Sequence, residues 1–227
     1  GSADGRIRCL EAATGRVVHH MTVEDFGTGK RTMVWSLVVL SDWTVVSGDS
    51  LGHIQFWDGR PGSGVLMQSF AVFTRGADVL ALAATDDEDA VFASGVDHRV
   101  VQLRRVQGQV PAESVAGEAE AGTTMTATQM RWMYVSSQRA HTHDVNALVV
   151  LPGALPAAVA LPSGEVGAAS PGASSALALA LAPQVVVSAG VDTQLCVYPT
   201  AADVFQATDR VRKIPPFPHE PLGQLAP

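Results

Sequence analysis

Residues 44–58 read Thr44-Val45-Val46-Ser47-Gly48-Asp49-Ser50-Leu51-Gly52-His53-Ile54-Gln55-Phe56-Trp57-Asp58, and this stretch decides the fold. Two runs rich in β-branched and aromatic residues flank a cluster of Gly, Asp and Ser. Such runs favour a pleated, half-buried surface. Gly and Asp accept the backbone of the tight turn between them. The stretch predicts a hairpin.

The pattern recurs along the chain. Gly5 opens Gly5-Arg6-Ile7-Arg8-Cys9-Leu10, and 47 residues later Gly52 opens the second strand of the hairpin. Gly48 and Gly95 stand at the same spacing, with Val91-Phe92-Ala93-Ser94 leading into Gly95. A third copy reads Val185-Val186-Val187-Ser188-Ala189-Gly190-Val191-Asp192, then Gln194-Leu195-Cys196-Val197-Tyr198. Near-continuous apolar runs precede each unit, at residues 34–40, 78–82 and 144–150, and predict inner strands covered on both faces. A repeat near this period, with four short strands per unit, is the signature of a β-propeller blade. Few apolar stretches keep a 3.6-residue period, which argues against helices.

Composition agrees with an all-β chain that has a core. The chain has 227 residues, 47% of them hydrophobic and 16% charged, too apolar for disorder throughout. Its formal net charge of −7 excludes a generic polyanion binder and confines nucleic-acid contact to local clusters. Cys9 and Cys196 are too few for a zinc cluster and favour a reducing compartment. No uncharged apolar run of membrane-spanning length lacks Pro or Gly, so no membrane contact is expected.

Several of these residues resemble WD40 repeats: Phe56-Trp57-Asp58 closes a third strand with the Trp-Asp dipeptide, and His141-Thr142-His143-Asp144-Val145 resembles the lead into an inner strand. The ordered set is similar to the cirhin family. It comprises Trp35-Ser36-Leu37, Ser47-Gly48-Asp49-Ser50, Ala77-Asp78-Val79-Leu80-Ala81-Leu82, Phe92-Ala93-Ser94-Gly95-Val96-Asp97, His141 to Val145 and Arg212-Lys213-Ile214-Pro215-Pro216-Phe217-Pro218-His219. That resemblance implies a nucleolar, tandem-propeller WD40 protein of the UtpA (t-UTP) subcomplex of the small-subunit processome, which assembles on the 5′ external transcribed spacer of precursor ribosomal RNA. It implies a non-enzymatic scaffold in early pre-rRNA processing and 40S ribosome biogenesis. Partners would be other UtpA subunits and processome proteins, with local contact to the spacer RNA.

On this reading residues 1–204 are about four later blades of a first propeller, a fragment of a larger protein, and residues 205–227 lead into a second. Two insertions interrupt the blades and are expected to be disordered. Residues 106–128 are polar and acidic at Glu113, Glu118 and Glu120, and would separate strands at 99–105 and 131–136. Residues 152–183 hold eleven Ala and five Pro with one charge, Glu165.

The structural WD40 positions are Trp57, Asp58, Asp97, His141 and Asp192. The family's His-Ser-Asp-Trp chain is complete in no unit. The first has Ser47 and Trp57 with Lys30 at the His position. The second has Ser94 and Asp97 with Arg75 and Leu103 at the His and Trp positions, and the third has His141, Ser188 and Asp192 with Tyr198 for Trp. His141-Thr142-His143-Asp144 does not read as a metal site, because residues 141 and 143 alternate in direction on a strand and no further ligand is evident. With no Gly-rich phosphate loop either, no enzyme activity, cofactor or small-molecule substrate is expected.

Basic charge comes from 13 Arg and two Lys. Arg suits phosphate and carboxylate contacts. Arg104, Arg105, Arg210, Arg212 and Lys213 are therefore the candidate phosphate contacts, with Lys30-Arg31 a further short cluster. Asp86-Asp87-Glu88-Asp89 reads as a solvated tip, or as a surface for a basic partner. Trp57-Asp58-Gly59-Arg60 supports an alternative, a WD40 substrate receptor of a cullin-based ubiquitin ligase, in which Arg60 would contact the adaptor. Tyr198-Pro199 denies that reading a second box, and a generic signalling scaffold is the third choice.

Overall fold

The computed structural model describes residues 1–23, 32–74, 76–110, 127–151, 184–205 and 211–214. It holds one two-stranded and three four-stranded antiparallel sheets. The first pairs β1 (Arg6–Leu10) with β2 (Val17–Thr22). The first full blade orders β3 (Val34–Val39), β4 (Thr44–Asp49), β5 (His53–Asp58) and β6 (Leu66–Ala71). The second orders β7 (Val79–Ala84), β8 (Ala90–Gly95), β9 (Val100–Val110) and β10 (Ala127–Gln138). The third comprises β11 (Val145–Leu151), β12 (Val185–Gly190), β13 (Leu195–Pro199) and β14 (Arg212–Ile214), with a short helix α1 (Ala202–Phe205) before β14. This is a meandering four-stranded blade repeated, as the spacing predicts. Among the described residues no helix is long and apolar enough to cross a membrane.

Two expected boundaries move. Residues 106–110 and 127–128 are ladder rather than insertion, with Val106 opposite Arg131 and Val110 opposite Ala127. Val106-Gln107-Gly108-Gln109-Val110 carries no charge and can continue a strand. Residues 111–126 and 152–183 lie outside the described residues. Residues 212–214, expected within the connection into a second propeller, form the fourth strand of the third blade and cover the edge of β13. Phe205 is fully buried in that blade's core.

Each inner strand opens with the same irregularity. Register slips between Val34 and Ser36, between Val79 and Ala81, and between Val145 and Ala147. These bulges fix the true equivalences, because Val34, Val79 and Val145 face Asp49, Gly95 and Gly190. Gly48 therefore matches Ser94, one residue from the match that the 47-residue spacing suggests. Ser47 and Ser188 are matched by Ala93, and a one-residue slip turns Ser94 to the opposite face. Leu103 does stand at the Trp position, facing Val91 as Trp57 faces Val45.

The expectation that the inner strands are covered on both faces is also revised. β4 and β8, second in their sheets, are buried at every residue, whereas β3, β7 and β11 keep half-buried or exposed residues. An edge strand has a neighbour on one side only.

Alternation sends successive residues to opposite faces, so the cores form between sheets. Ile7 and Met21 pack with Val45 and Trp57; Val46, Ile54 and Phe56 pack with Val91, Leu103 and Trp132; Phe92 and Val100 pack with Val186, Cys196 and Tyr198. Phe56 stacks on Trp132 with centroids 4.6 Å apart. Buried and half-buried polar side chains cross the same junctions. The Ser36 hydroxyl donates to the Val79 carbonyl (3.0 Å), Ser94 to the Val145 carbonyl (3.1 Å), and the Gln102 amide to the Thr200 carbonyl (2.6 Å).

One polar chain closes inside the third blade. His141 Nδ1 lies 2.9 Å from Asp192 Oδ1, and His141 Nε2 lies 2.6 Å from Ser188 Oγ, which is 3.3 Å from the Tyr198 hydroxyl. Tyr198 thus completes the chain in place of Trp. In the first blade Trp57 Nε1 donates to Ser47 Oγ at 2.9 Å. Burial alone would raise the Asp192 carboxyl. The His141 ring and the Thr142 and Gln194 N–H groups outweigh it and bring it down to about 2.

Two outcomes follow from this packing. A Cβ on Gly95 would sit 1.8 Å from the Asp78 carbonyl oxygen, while one on Gly15 meets nothing within 4 Å. Gly15→Ala pays only its positive φ, about 1–2 kcal/mol. Gly95→Ala is expected to cost clearly more in urea unfolding of the full-length protein, and equal losses would contradict this packing. Asp192 has its carboxyl depressed by folding, so it stabilises above the unfolded value of 3.8, and that stability is lost as pH falls through about 2. Asp192→Asn should cost about 2 kcal/mol at neutral pH, with the gap to wild type closing between about pH 4 and pH 2. A gap independent of pH would contradict the assignment.

Candidate functional site: the cleft between the first two full blades

In an antiparallel blade the connections alternate between two ends. The β3–β4, β5–β6, β7–β8, β9–β10 and β11–β12 connections share one end, so both long insertions leave from it. Contacts there tie the blades together. Glu88, at φ 57°, accepts from the Ser41 N–H (2.7 Å) and hydroxyl (2.6 Å). Gln184 Oε1, before β12 of the third blade, accepts the Asp86 N–H at 3.1 Å, while within the second blade the Asp89 carbonyl accepts the Arg105 N–H at 2.8 Å. The acidic tip 86–89 is thus a junction between blades rather than only a solvated turn.

At this end a cleft of about 640 Å³ opens between the first and second full blades, lined by Asp42, Asp58, Arg60, Met67, Arg105 and Arg131 among others. Its floor is a two-point clasp. The Gln68 side chain accepts from the Trp132 N–H (2.7 Å) and donates to the Trp132 carbonyl (3.2 Å). Trp132 is buried, while Met67, Met130 and Arg131 are exposed.

The charges are arranged in pairs. Asp42 accepts from Arg105 at 2.5 Å. Burial would raise its carboxyl, but the Thr44 N–H, the Thr44 hydroxyl and Arg105 together hold it below the ordinary range. Arg60 grips Asp58 through Nε (2.8 Å) and a terminal nitrogen (2.6 Å), and Ser63 adds its hydroxyl (2.8 Å). Arg60, then Ser63, hold Asp58 well below the usual carboxylate range. The Arg60 side chain remains 70% exposed, a solvated turn residue folded back on its own Asp.

The other nominated residues scatter. Arg104 lines a smaller recess of about 210 Å³ with Thr85, Asp87 and Thr200. Arg210 lies outside the described residues, Arg212 is placed as backbone in β14, and Lys213 is exposed beside it. Lys30 and Arg75 also lie outside. Asp97 pairs with Arg99 and meets the Thr74 N–H at 3.4 Å, as Asp192 meets Thr142. Buried Phe73 precedes Thr74 where His141 precedes Thr142. Trp57, His141 and Asp192 serve the buried chains described above. The Ser188–His141–Asp192 geometry has the order of a nucleophile, base and orienting acid. Ser188 is fully buried and His141 nearly so, which closes it to a substrate and makes it a brace. Among the described residues no group of three or more His, Cys, Asp or Glu could hold a metal ion. Sequence reasoning missed Gln68, Met67 and Arg131; only the packing of the first full blade against the second brings them together.

No protein-family profile matches the chain. It is 30% identical over 152 residues to U3 small nucleolar RNA-associated protein 4 of Schizosaccharomyces pombe, covering 66% of this chain and 18% of that protein. The Saccharomyces cerevisiae protein of that name is 32% identical, over 65% of this chain and 17% of that one. The Homo sapiens homologue is 30% identical, over 68% and 20%. The chain thus spans about a fifth of the length of the curated relatives it matches. Among solved structures, the WD40 repeats of RRP9 superpose with a TM-score of 0.53 at 15% identity, covering 93% of this chain and 44% of that one. U3-55K gives 0.53 at 15% identity, over 93% and 45%. The fold is therefore that of WD40 β-propeller blades, and in sequence the chain is similar to U3 small nucleolar RNA-associated protein 4.

Proposed function

We propose that this chain is part of a non-enzymatic scaffold subunit of the small-subunit processome, acting in early processing of precursor ribosomal RNA in the nucleolus. The carrying observation is the similarity to U3 small nucleolar RNA-associated protein 4 in four organisms. Its partners on this reading are the other UtpA (t-UTP) subunits, with the 5′ external transcribed spacer nearby. The geometry supports contact through protein surfaces above contact through phosphate. Arg105 and Arg60 are each occupied by a carboxylate, and Arg104 sits beside Asp87. A phosphate would have to compete with those acids for each cation.

Affinity purification of the full-length protein from nuclear extract tests this. Precursor RNA containing the 5′ spacer should co-purify, with protein partners retained after ribonuclease treatment. Recovery of a cullin adaptor without ribosomal precursors would contradict the proposal. Changing Arg104, Arg105, Arg210 and Arg212 together to Ala should reduce RNA crosslinks at most and leave incorporation intact. Tight, sequence-specific binding of spacer RNA by the purified protein alone at physiological salt would overturn the scaffold reading.

A further inference from the structure

We infer that the cleft between the first and second full blades docks an extended segment of a partner protein, apolar in character and carrying a carboxylate. This deepens the scaffold reading and rests on it.

Three observations converge. The first is charge. Arg60, Arg105, Arg131, Asp42 and Asp58 line the cleft, and the Arg131 side chain, opposite in parity to Trp132, stands on the other face of the β10 edge, beside Met133, where an added strand's alternate side chains would reach it. Among the described residues Arg131 forms no ion pair; its guanidinium lies 3.8 Å from Met133 Sδ. A partner carboxylate can meet that planar fork with two parallel hydrogen bonds.

The second is apolar surface. Met67 and Met130 are 48% and 43% exposed at the cleft, and Met133 and Tyr134 follow on β10 at 41% and 44%. Methionine side chains adapt to varied apolar partners. Water gains nothing from these thioethers, whereas a leucine-like side chain would cover them.

The third is the backbone. Both the N–H and the C=O of Trp132 turn away from β9, since Gln68 engages both. Strand alternation then turns the same groups of Met130 and Tyr134 outward on that edge. An extended segment can pair with them on either side of the Gln68 clasp, in the manner of strand addition. A nucleic-acid strand fits less well. Its repeated phosphates would approach Asp42 and Asp58, both held ionised by their neighbours, and would leave the methionines uncovered.

The test places a photo-crosslinking amino acid at Met67 or Met133 in the tagged full-length protein, with Val191, exposed at the opposite end, as control. Met67 in the cleft and Met133 on the β10 edge should both capture one protein segment with Asp or Glu beside an apolar residue. Arg131→Glu should lower that capture at least about tenfold, or about 1.4 kcal/mol. Reversing the segment's carboxylate to Arg should restore it. Met130→Ala, which leaves charge unchanged, should weaken capture severalfold. Capture of RNA, of a segment without a carboxylate, at no more than the Val191 level, or unaltered by Arg131→Glu would each overturn the inference. Co-purifying precursor RNA is read in the same samples. If it persists while capture fails, the scaffold reading stands without this docking site; if wild type lacks it, the scaffold reading itself fails.

Discussion

The sheets of the first and second full blades pack apolar side chains on both faces, each face into a different core, so neither blade has a core of its own. Residues of alternating parity on β4 and β5 belong to different cores: Val45 and Trp57 to the one shared with β1 and β2, Val46 and Phe56 to the one shared with the second blade. The need to cover both faces governs the rest. It places the buried polar groups at the junctions, where Ser36, Ser94 and Gln102 reach the backbone of the next blade. Each such bond satisfies a donor that burial would otherwise leave costly, and it fixes how one blade sits on the next. The cleft with its Gln68 clasp is the outer continuation of one of these junctions.

The propeller was legible in the sequence because its signal is local. Hairpins such as 44–58, with β-branched runs around Gly and Asp, announce strands and turns by residue type, and their repetition announces blades. The register was less legible. Gly48 and Gly95 look equivalent at equal spacing, but the bulge after Val79 aligns Gly95 with Asp49. A period-two element turns that one-residue error into the wrong face, so Ser94, expected in an internal polar chain, instead bonds forward to the third blade. Tyr198 was readable as the Trp substitute, and the structure shows how: a hydroxyl reaches Ser188 much as an indole N–H reaches Ser47.

The site was the least legible part. Arg clusters in sequence suggest phosphate, because proximity along the chain is all a sequence displays. Folding gives Arg105 a carboxylate 63 residues away, Asp42, and pairs Arg60 with its near neighbour Asp58. Arg131, which forms no ion pair among the described residues, stood in no cluster. Gln68 and Trp132 are 64 residues apart, and no pattern in either segment foretells their clasp. Arg105–Asp42 and His98–Asp144 carry charge across blade junctions, the other ion pairs stay within a blade, and the cleft between the first two full blades is left mixed and methionine-bearing.

The central claim is that this propeller segment works by protein contact at that cleft. Hydrogen exchange of the full-length protein, free and within its purified assembly, measures it most directly. The account predicts slower exchange on assembly at residues 65–68 and 130–134, retained after ribonuclease treatment. Unchanged exchange there, or protection that disappears with the RNA, would contradict it.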